Sequence, residues 1–388
     1  MIGNYDIKKI FIQGEEIKEV RHAGEVVWSK PAPVKKYRYM TAVIDQDNND
    51  GLKCVTYAED AKDMKKMTAA WDSFFGTKLV LFKNGKEVRE LKDSELDNLK
   101  AEDGDVMVKF KRMGLNSHTE GNKVYITMTD NPRDNRFKYY AHTRGNQDRD
   151  AFYLGAYLGS SEGGKLRSLT GKGPLTGCTI GQLRNYAQAN GKGYEICGFY
   201  QLTFLQAMYV LKYGDLNSQR TVGMGLVEGN KNTPNESGKT NGKGIDCGSE
   251  SPKEHVRFQF IEDFFGNRGW RIDGINTDDD YNILTTTDNF NDEGEGYTKV
   301  GKSLELDGII SKVHGNSELG LFAKEIDDSF EDDNAFGYRD GVYATSGSTG
   351  GWFGGDVYYG SRAGAFCLIV GDDASGANWG DAARLMFL

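Results

Sequence analysis

The sequence predicts an α+β protein built mainly from short strands, with two helices set into its long C-terminal region. Three observations carry this reading. Short apolar runs alternate with glycine- or asparagine-bearing turns along most of the chain. Thr179-Ile180-Gly181-Gln182 fits a capping box that opens one helix, and a broad apolar face marks a second helix ending at Gly214.

The elements follow in order. Residues 5 to 28 carry three apolar runs, Ile7 to Ile12, Ile17 to Val20 and Val26 to Trp28, separated by Gly14 and Gly24, a small β-meander pattern. It is too short to bury a core alone. Pro31-Ala32-Pro33 then forms a stiff connector. Leu79 to Phe82 and the strand around Val88 flank Asn84-Gly85, a pair that tolerates positive φ at both positions and suits a type I′ hairpin. Ala58 to Trp71 has helical spacing, and Asp105 to Phe110 reads as a closing strand. Beyond Lys123, Val124 to Met128 and Phe152 to Leu158 read as strands. In the first helix Ile180, Leu183 and Ala187 share a face, with Gly191 as its stop. In the second, Leu202, Leu205 and Tyr209 line one side while Phe204, Met208 and Leu211 widen it, so burial nearly all round is expected. Glu228 to Glu254 reads as a long polar surface loop.

With 388 residues and a prior of roughly 150 per domain, two or three units are expected. The boundaries fall at a β-meander over 1–30, a mixed α/β spacer over 36–115 and a large domain over 120–388. A net charge of −9 offers no basic field for phosphates, which argues against nucleic acid and anionic membrane as general partners. No apolar stretch approaches the ~20 residues of a membrane span, and Met1 to Asp6 has no basic region followed by an apolar run, so no cleaved signal is expected.

Catalytic and metal chemistry find no nucleus. Cys54, Cys178, Cys197, Cys247 and Cys367 lack paired zinc-site spacing and are expected as free thiols. His22, His118, His142, His255 and His314 are scattered without HxH or HExxH spacing, and most are expected at the surface or on edges. Asp45 to Gly51 resembles a calcium loop at first, but its glycine falls one place late and Thr56 stands where a bidentate glutamate is needed. The acidic runs Asp278 to Asp280 and Asp327 to Asp333 read as solvated loops.

The C-terminus differs in kind. Trp352, Phe353, Tyr358, Tyr359, Phe366 and Trp379 sit among glycines with Asp356, Arg362, Asp372, Asp373 and Asp381 interspersed. Aromatic rings supply contact area at low entropy cost, and charges and amides supply adaptable hydrogen bonds, a mixture suited to recognition. Phe366, Leu368, Val370 and Trp379, in strand-like spacing, are expected as scaffold.

Those residues carry a resemblance. The tail Gly354-Gly355-Asp356-Val357-Tyr358-Tyr359-Gly360-Ser361-Arg362-Ala363-Gly364, continued by Ala374 to Trp379 and Ala383-Arg384-Leu385, resembles the C-terminal element of phage and prophage tail-associated proteins with a C-type-lectin-like fold. The branch is the one similar to formylglycine-generating enzyme, which includes variable proteins diversified by retroelements. Tyr153 to Gly159 looks like the family's opening strand, and Tyr209 through Asp215 to Gln219 like its second-helix signature. Glu262 to Asn267 with Trp270 and Asp273-Gly274-Ile275 is similar to its central glycine-asparagine-tryptophan motif. The leading segments look like the attachment and spacer portions of Gram-positive phage tail proteins.

The resemblance implies a C-type-lectin-like domain over 120–388 that binds a host cell-surface protein or glycan from a virion tail. Its partners would be that receptor and other tail proteins, and a homotrimer is compatible with it. The implied ligand-binding residues are Phe353, Asp356, Tyr358, Tyr359, Arg362, Ile369, Gly371, Asp372, Gly376, Asn378 and Gly380. Apart from Phe353 they occupy a register where family members commonly carry asparagine. Asn378 keeps the amide, and the other replacements are reachable by changing only adenines in an asparagine codon, the trace that adenine-directed mutagenesis leaves. Two departures remove the family's catalysis. Trp270-Arg271-Ile272 stands where tryptophan-glutamate-tryptophan is usual, and Cys367 has no nearby second cysteine. No catalytic residue, metal or cofactor is therefore expected. The competing readings are a structural tail component and an oxidase or glycan-modifying enzyme on the same scaffold.

Overall fold

The computed structural model describes residues 37–388 apart from 49–52, 62–67, 232–234, 328–336 and 372, and before them the backbone of four short strands. The chain divides into two compact units, Met1–Arg38 and Tyr39–Leu388. In the first, Phe11–Ile12 pairs with Glu15–Glu16, and Glu19–His22 pairs with Glu25–Ser29. The expected meander is thus two separate ladders, because only two positions of sequence separate the strands of each pair, which favours local pairing. Ile7 to Ile10, Ile17 and the Pro31-Ala32-Pro33 connector lie outside the described residues.

The second unit is mixed and strand-rich, with several sheets and few helices. A four-stranded sheet runs in the order Gly114–Glu120, Lys123–Thr129, Tyr39–Asp45, Val55–Tyr57. A six-stranded sheet runs Tyr194–Ile196, Leu385–Phe387, Ala151–Gly155, Asp105–Lys111, Lys78–Lys83, Lys86–Glu90. A seven-stranded sheet runs Ala323–Asp327, Leu306–Val313, Gly341–Ala344, Leu368–Val370, Gly351–Phe353, Gly269–Ile272, Asp381–Ala382.

This topology corrects the separate spacer expected over 36–115. Tyr39–Asp45 pairs antiparallel with Lys123–Thr129, and Asp105–Lys111 pairs with Ala151–Gly155. One continuous apolar core joins Phe74 and Phe110 to Leu202, Trp270 and Phe353. The reason is that Val106, Met107 and Val108 are all buried, so this strand needs cover on both faces and a partner at both edges, which residues 36–115 alone do not supply.

Local signals set several elements. Asn84 and Gly85 have φ of 53° and 73°, as a type I′ turn requires, and join Lys78–Lys83 to Lys86–Glu90. The described helix near Trp71 is Thr68–Phe75, later than the spacing indicates, while Ala58 to Ala61 forms a turn. The helix Ile180–Gln188 is opened by its capping box: Gln182 N–H donates to Thr179 Oγ1 at 3.1 Å, and Thr179 N–H donates to Gln182 Oε1 at 2.9 Å. Replacing Thr179 by alanine removes one reciprocal bond and should cost about 1 kcal/mol, read as a lowered midpoint in urea. A midpoint unchanged within error would remove that role.

The helix Phe199–Tyr213 is buried on every side and ends at Gly214 with φ 60°. Its polar groups are matched where they are buried. Gln201 donates to the carbonyl of Ala141, Gln206 to that of Ala365, and Lys212 pairs with Asp72 and Asp246. No helix of the described residues is long and apolar enough to cross a membrane. The loop 228–254 is not wholly a surface feature, since Thr240 is fully buried and its hydroxyl donates to Glu262 at 2.6 Å.

Candidate functional site

A rigid floor lies under the C-terminal face. Gln259, Phe260, Asp263 and Asn267 all have positive φ, which folds the segment before Trp270 into a tight buried loop. The Trp270 indole N–H donates to the Asp263 carbonyl at 3.1 Å. Arg384, fully buried, donates to the carbonyls of Gly155, Glu262 and Asp263 and lies 4.1 Å from the Trp270 ring centroid. This guanidinium ties the last strand to the central loop.

His255, Glu262 and Asp263 bring ligating atoms close enough to be considered for a metal. Their acceptors are already engaged. Glu262 accepts from Gly238 N–H, Thr240 N–H and the Thr240 hydroxyl at 2.7, 2.7 and 2.6 Å. Asp263 is hydrogen-bonded to His255 at 2.7 Å and accepts from the Asn267 amide at 2.8 Å. Burial opposes charging of His255, but the adjacent Asp263 carries its pKa above the usual value. With these bonds in place the cluster reads as an internal brace. His142 also departs from expectation: it is fully buried against Phe152 and Phe204, and burial pushes its pKa down to about 3.

The expected recognition residues divide sharply. Phe353 is not at the surface. It is fully buried, 5.1 Å from the Trp270 ring centroid and 5.6 Å from that of Phe264, because its strand turns it to the inner face. Asp356 is buried and accepts the Tyr358 N–H at 2.8 Å, and burial raises its pKa. Gly380 is buried beside it, and a Cβ there would lie 2.7 Å from Asp356 Oδ2. At Gly371 a Cβ would meet Tyr343 Cε1 at 2.2 Å, so the ring rests on bare backbone. Gly376 offers its carbonyl to Arg271, which also pairs with Asp381 at 2.7 Å. These positions shape loops rather than present side chains. Asp372 lies outside the described residues.

Other residues do face outward. Tyr358 is 58% exposed and meets Trp379, 37% exposed, edge-on with centroids 5.6 Å apart. Trp379 is therefore not scaffold as its spacing implied, since it sits in the turn before Asp381–Ala382 rather than in a strand. The Arg268 guanidinium, itself buried, lies 5.0 Å from the Trp379 ring and steadies it from below. Exposed Arg362 reaches over the half-buried Tyr359, which leans on Trp352 at 4.9 Å. Ile369 is half-buried between Tyr343 and Trp352 in the sheet register. The carbonyl of Asn378 accepts from Gly177 and Asp381 N–H, which holds its backbone while its side chain stays exposed. Phe366, Leu368 and Val370 are buried scaffold.

Tyr343 and Arg268 were not legible in the sequence as residues of this face, and Trp379 was named there but read as scaffold. Tyr343 reaches the face only through sheet pairing, and Arg268 only through the positive-φ loop before it. A tryptophan in a glycine-bounded turn, Trp379, was the one legible hint. The chain matches no known family model and no curated protein.

Proposed function

We propose that this protein is a host-recognition component of a phage tail, whose C-terminal region has a C-type-lectin-like fold and binds a cell-surface protein or glycan. The observation that carries the reading is the contrast within the tail: Tyr358, Arg362, Asn378 and Trp379 face outward, on loops whose other residues are largely buried as a framework beneath them. Side chains at such positions can be exchanged without repacking the core. Tyrosine, tryptophan and arginine are also the residue types that dominate binding energy at interfaces.

The separate motifs behind the resemblance meet in one place, which supports the fold. Tyr153 and Leu154 pair with Phe387 and Met386. Ala365 N–H donates to Ser218 Oγ at 2.9 Å, and the Gln219 amide donates to the Gly360 carbonyl at 2.8 Å. Trp270 packs on Phe353. The state of Cys367 supports a binding role over oxidase chemistry: burial pushes its thiol well above the usual range, opposite to an activated nucleophile.

The test is binding of the labelled chain to a panel of bacterial cells, before and after protease or glycosidase treatment. The triple variant Tyr358→Ala, Arg362→Ala, Asn378→Ala should keep the melting temperature of the parent and lose roughly 100-fold in affinity. Full binding by the folded variant would overturn the site. A chain that binds no cell yet assembles with tail proteins would be a structural component. Neighbouring genes encoding a reverse transcriptase and a near-copy template would mark the face as diversified.

A further inference from the structure

The strand Lys86–Glu90 closes one edge of the six-stranded sheet, and all five of its residues are exposed. Among the described residues no strand covers its outer edge. Such an edge carries free backbone donors and acceptors, and proteins usually blunt it with charges of one sign or with a bulge. A bulge is present: the register shifts between Leu81 and Phe82, leaving Val88 opposite no residue of its neighbour. The charges, however, do not repel a second copy. Read against itself in reverse, Lys86-Glu87-Val88-Arg89-Glu90 sets Lys86 against Glu90, Glu87 against Arg89, and Val88 against Val88. Every directly opposed pair is complementary, and the central pair is apolar.

We propose that this edge is a homodimer interface in which two copies pair antiparallel across a two-fold axis at Val88, joining two six-stranded sheets into one. Val88 is 55% exposed, one of four large hydrophobic side chains of the described residues left in solvent. Self-pairing covers it with its own copy, the isologous contact that two-fold symmetry demands. Lys86 faces Lys83 across the hairpin and among the described residues makes no ion pair, so Glu90 of a second copy, which Lys78 holds in place at 2.6 Å, would bring a carboxylate opposite it. The strand is held ready for this. The Tyr194 hydroxyl accepts the Gly85 N–H at 2.8 Å at the hairpin tip, and Leu91 is buried just past the other end. Glu87 and Arg89 are steadied by Lys109 and Glu95, at 2.7 and 2.5 Å. The bulge shortens the usable ladder, so the association is weak and concentration-dependent. The proposal is independent of the recognition face.

Sedimentation equilibrium of the full chain over a hundredfold concentration range tests it. The parent should pass from monomer to dimer. Val88→Lys places two cations on the axis and should raise the dissociation constant at least tenfold, with an unchanged melting temperature. Lys86→Glu should do the same by opposing Glu90, and the double variant Lys86→Glu, Glu90→Lys should restore the dimer by exchanging the charges. Amide exchange at residues 86–90 should slow as the dimer fills. A chain that stays monomeric throughout, forms a trimer, or dimerises with no response to these variants would overturn the proposal.

Discussion

Trp270→Ala should lower the unfolding free energy by about 3–5 kcal/mol, the cost of emptying a large aromatic site in a close-packed core. Trp270 is fully buried: Phe353 meets it edge-on at 5.1 Å, Phe264 at 6.0 Å, and Arg384 lies over its face at 4.1 Å. Truncation removes the packing of both rings and the Asp263 hydrogen bond. It also strips the π-face from a guanidinium whose pKa burial already pushes down to about 9. Because Arg384 joins the last strand to the central loop, the damage should spread to the loops of the C-terminal face. Equilibrium unfolding in urea would read the loss, and Trp270→Phe should recover part of it. A loss below 1 kcal/mol would mean that the site collapses around the smaller side chain, and that the floor is not what holds the face.

The second large effect is a dependence on pH. Asp340 is buried, its carboxylate accepts the Phe366 N–H at 2.5 Å, and among the described residues no cation pairs with it. Burial pushes its pKa from 3.8 up to about 8, against the opposing pull of the Phe366 and Cys367 N–H groups. Between those two values the folded protein keeps a proton that the unfolded chain has released. Stability therefore falls as pH rises through this window, with a slope of at most ~1.4 kcal/mol per pH unit, and the contribution is gone above about pH 8. His142 acts in the opposite sense. Its folded pKa of about 3 lies below the ordinary 6.5, so stability falls as pH drops through that interval. The two slopes oppose each other in the overlap, and above pH 6.5 His255, whose pKa Asp263 raises, adds a slope of the same sign as Asp340, so the Asp340 share is the difference between parent and variant. Asp340→Asn should make the profile between pH 6.5 and 8 less steep than the parent's, measured by urea midpoints at each pH. Parallel profiles for parent and variant would show that Asp340 ionises normally in the fold.

Asp340 also connects stability to the C-terminal face proposed for recognition. It immediately precedes Gly341–Ala344, the strand that carries Tyr343, and a Cβ on Gly341 would lie 3.2 Å from Arg362 Cβ. Charging Asp340 at high pH should therefore loosen the ground on which Arg362 rests.

The sequence by itself determined what depends on a few neighbouring residues. Thr179 with Gln182 specified a helix start, Gly214 a helix end and Asn84-Gly85 a hairpin, because each satisfies a backbone demand within one turn. It also marked the tail as unusual in aromatics and glycine. The tertiary structure alone decided which strands share a sheet, and so dissolved the boundary expected near residue 115. Strand partners are chosen by contacts far apart in the chain, which periodicity cannot register. It alone also decided that Phe353 is core and Trp379 is surface. In a glycine-rich tail, exposure is set by what distant segments lay over it, as Trp352 lies over Gly269, where even a Cβ would fall 1.9 Å from the indole.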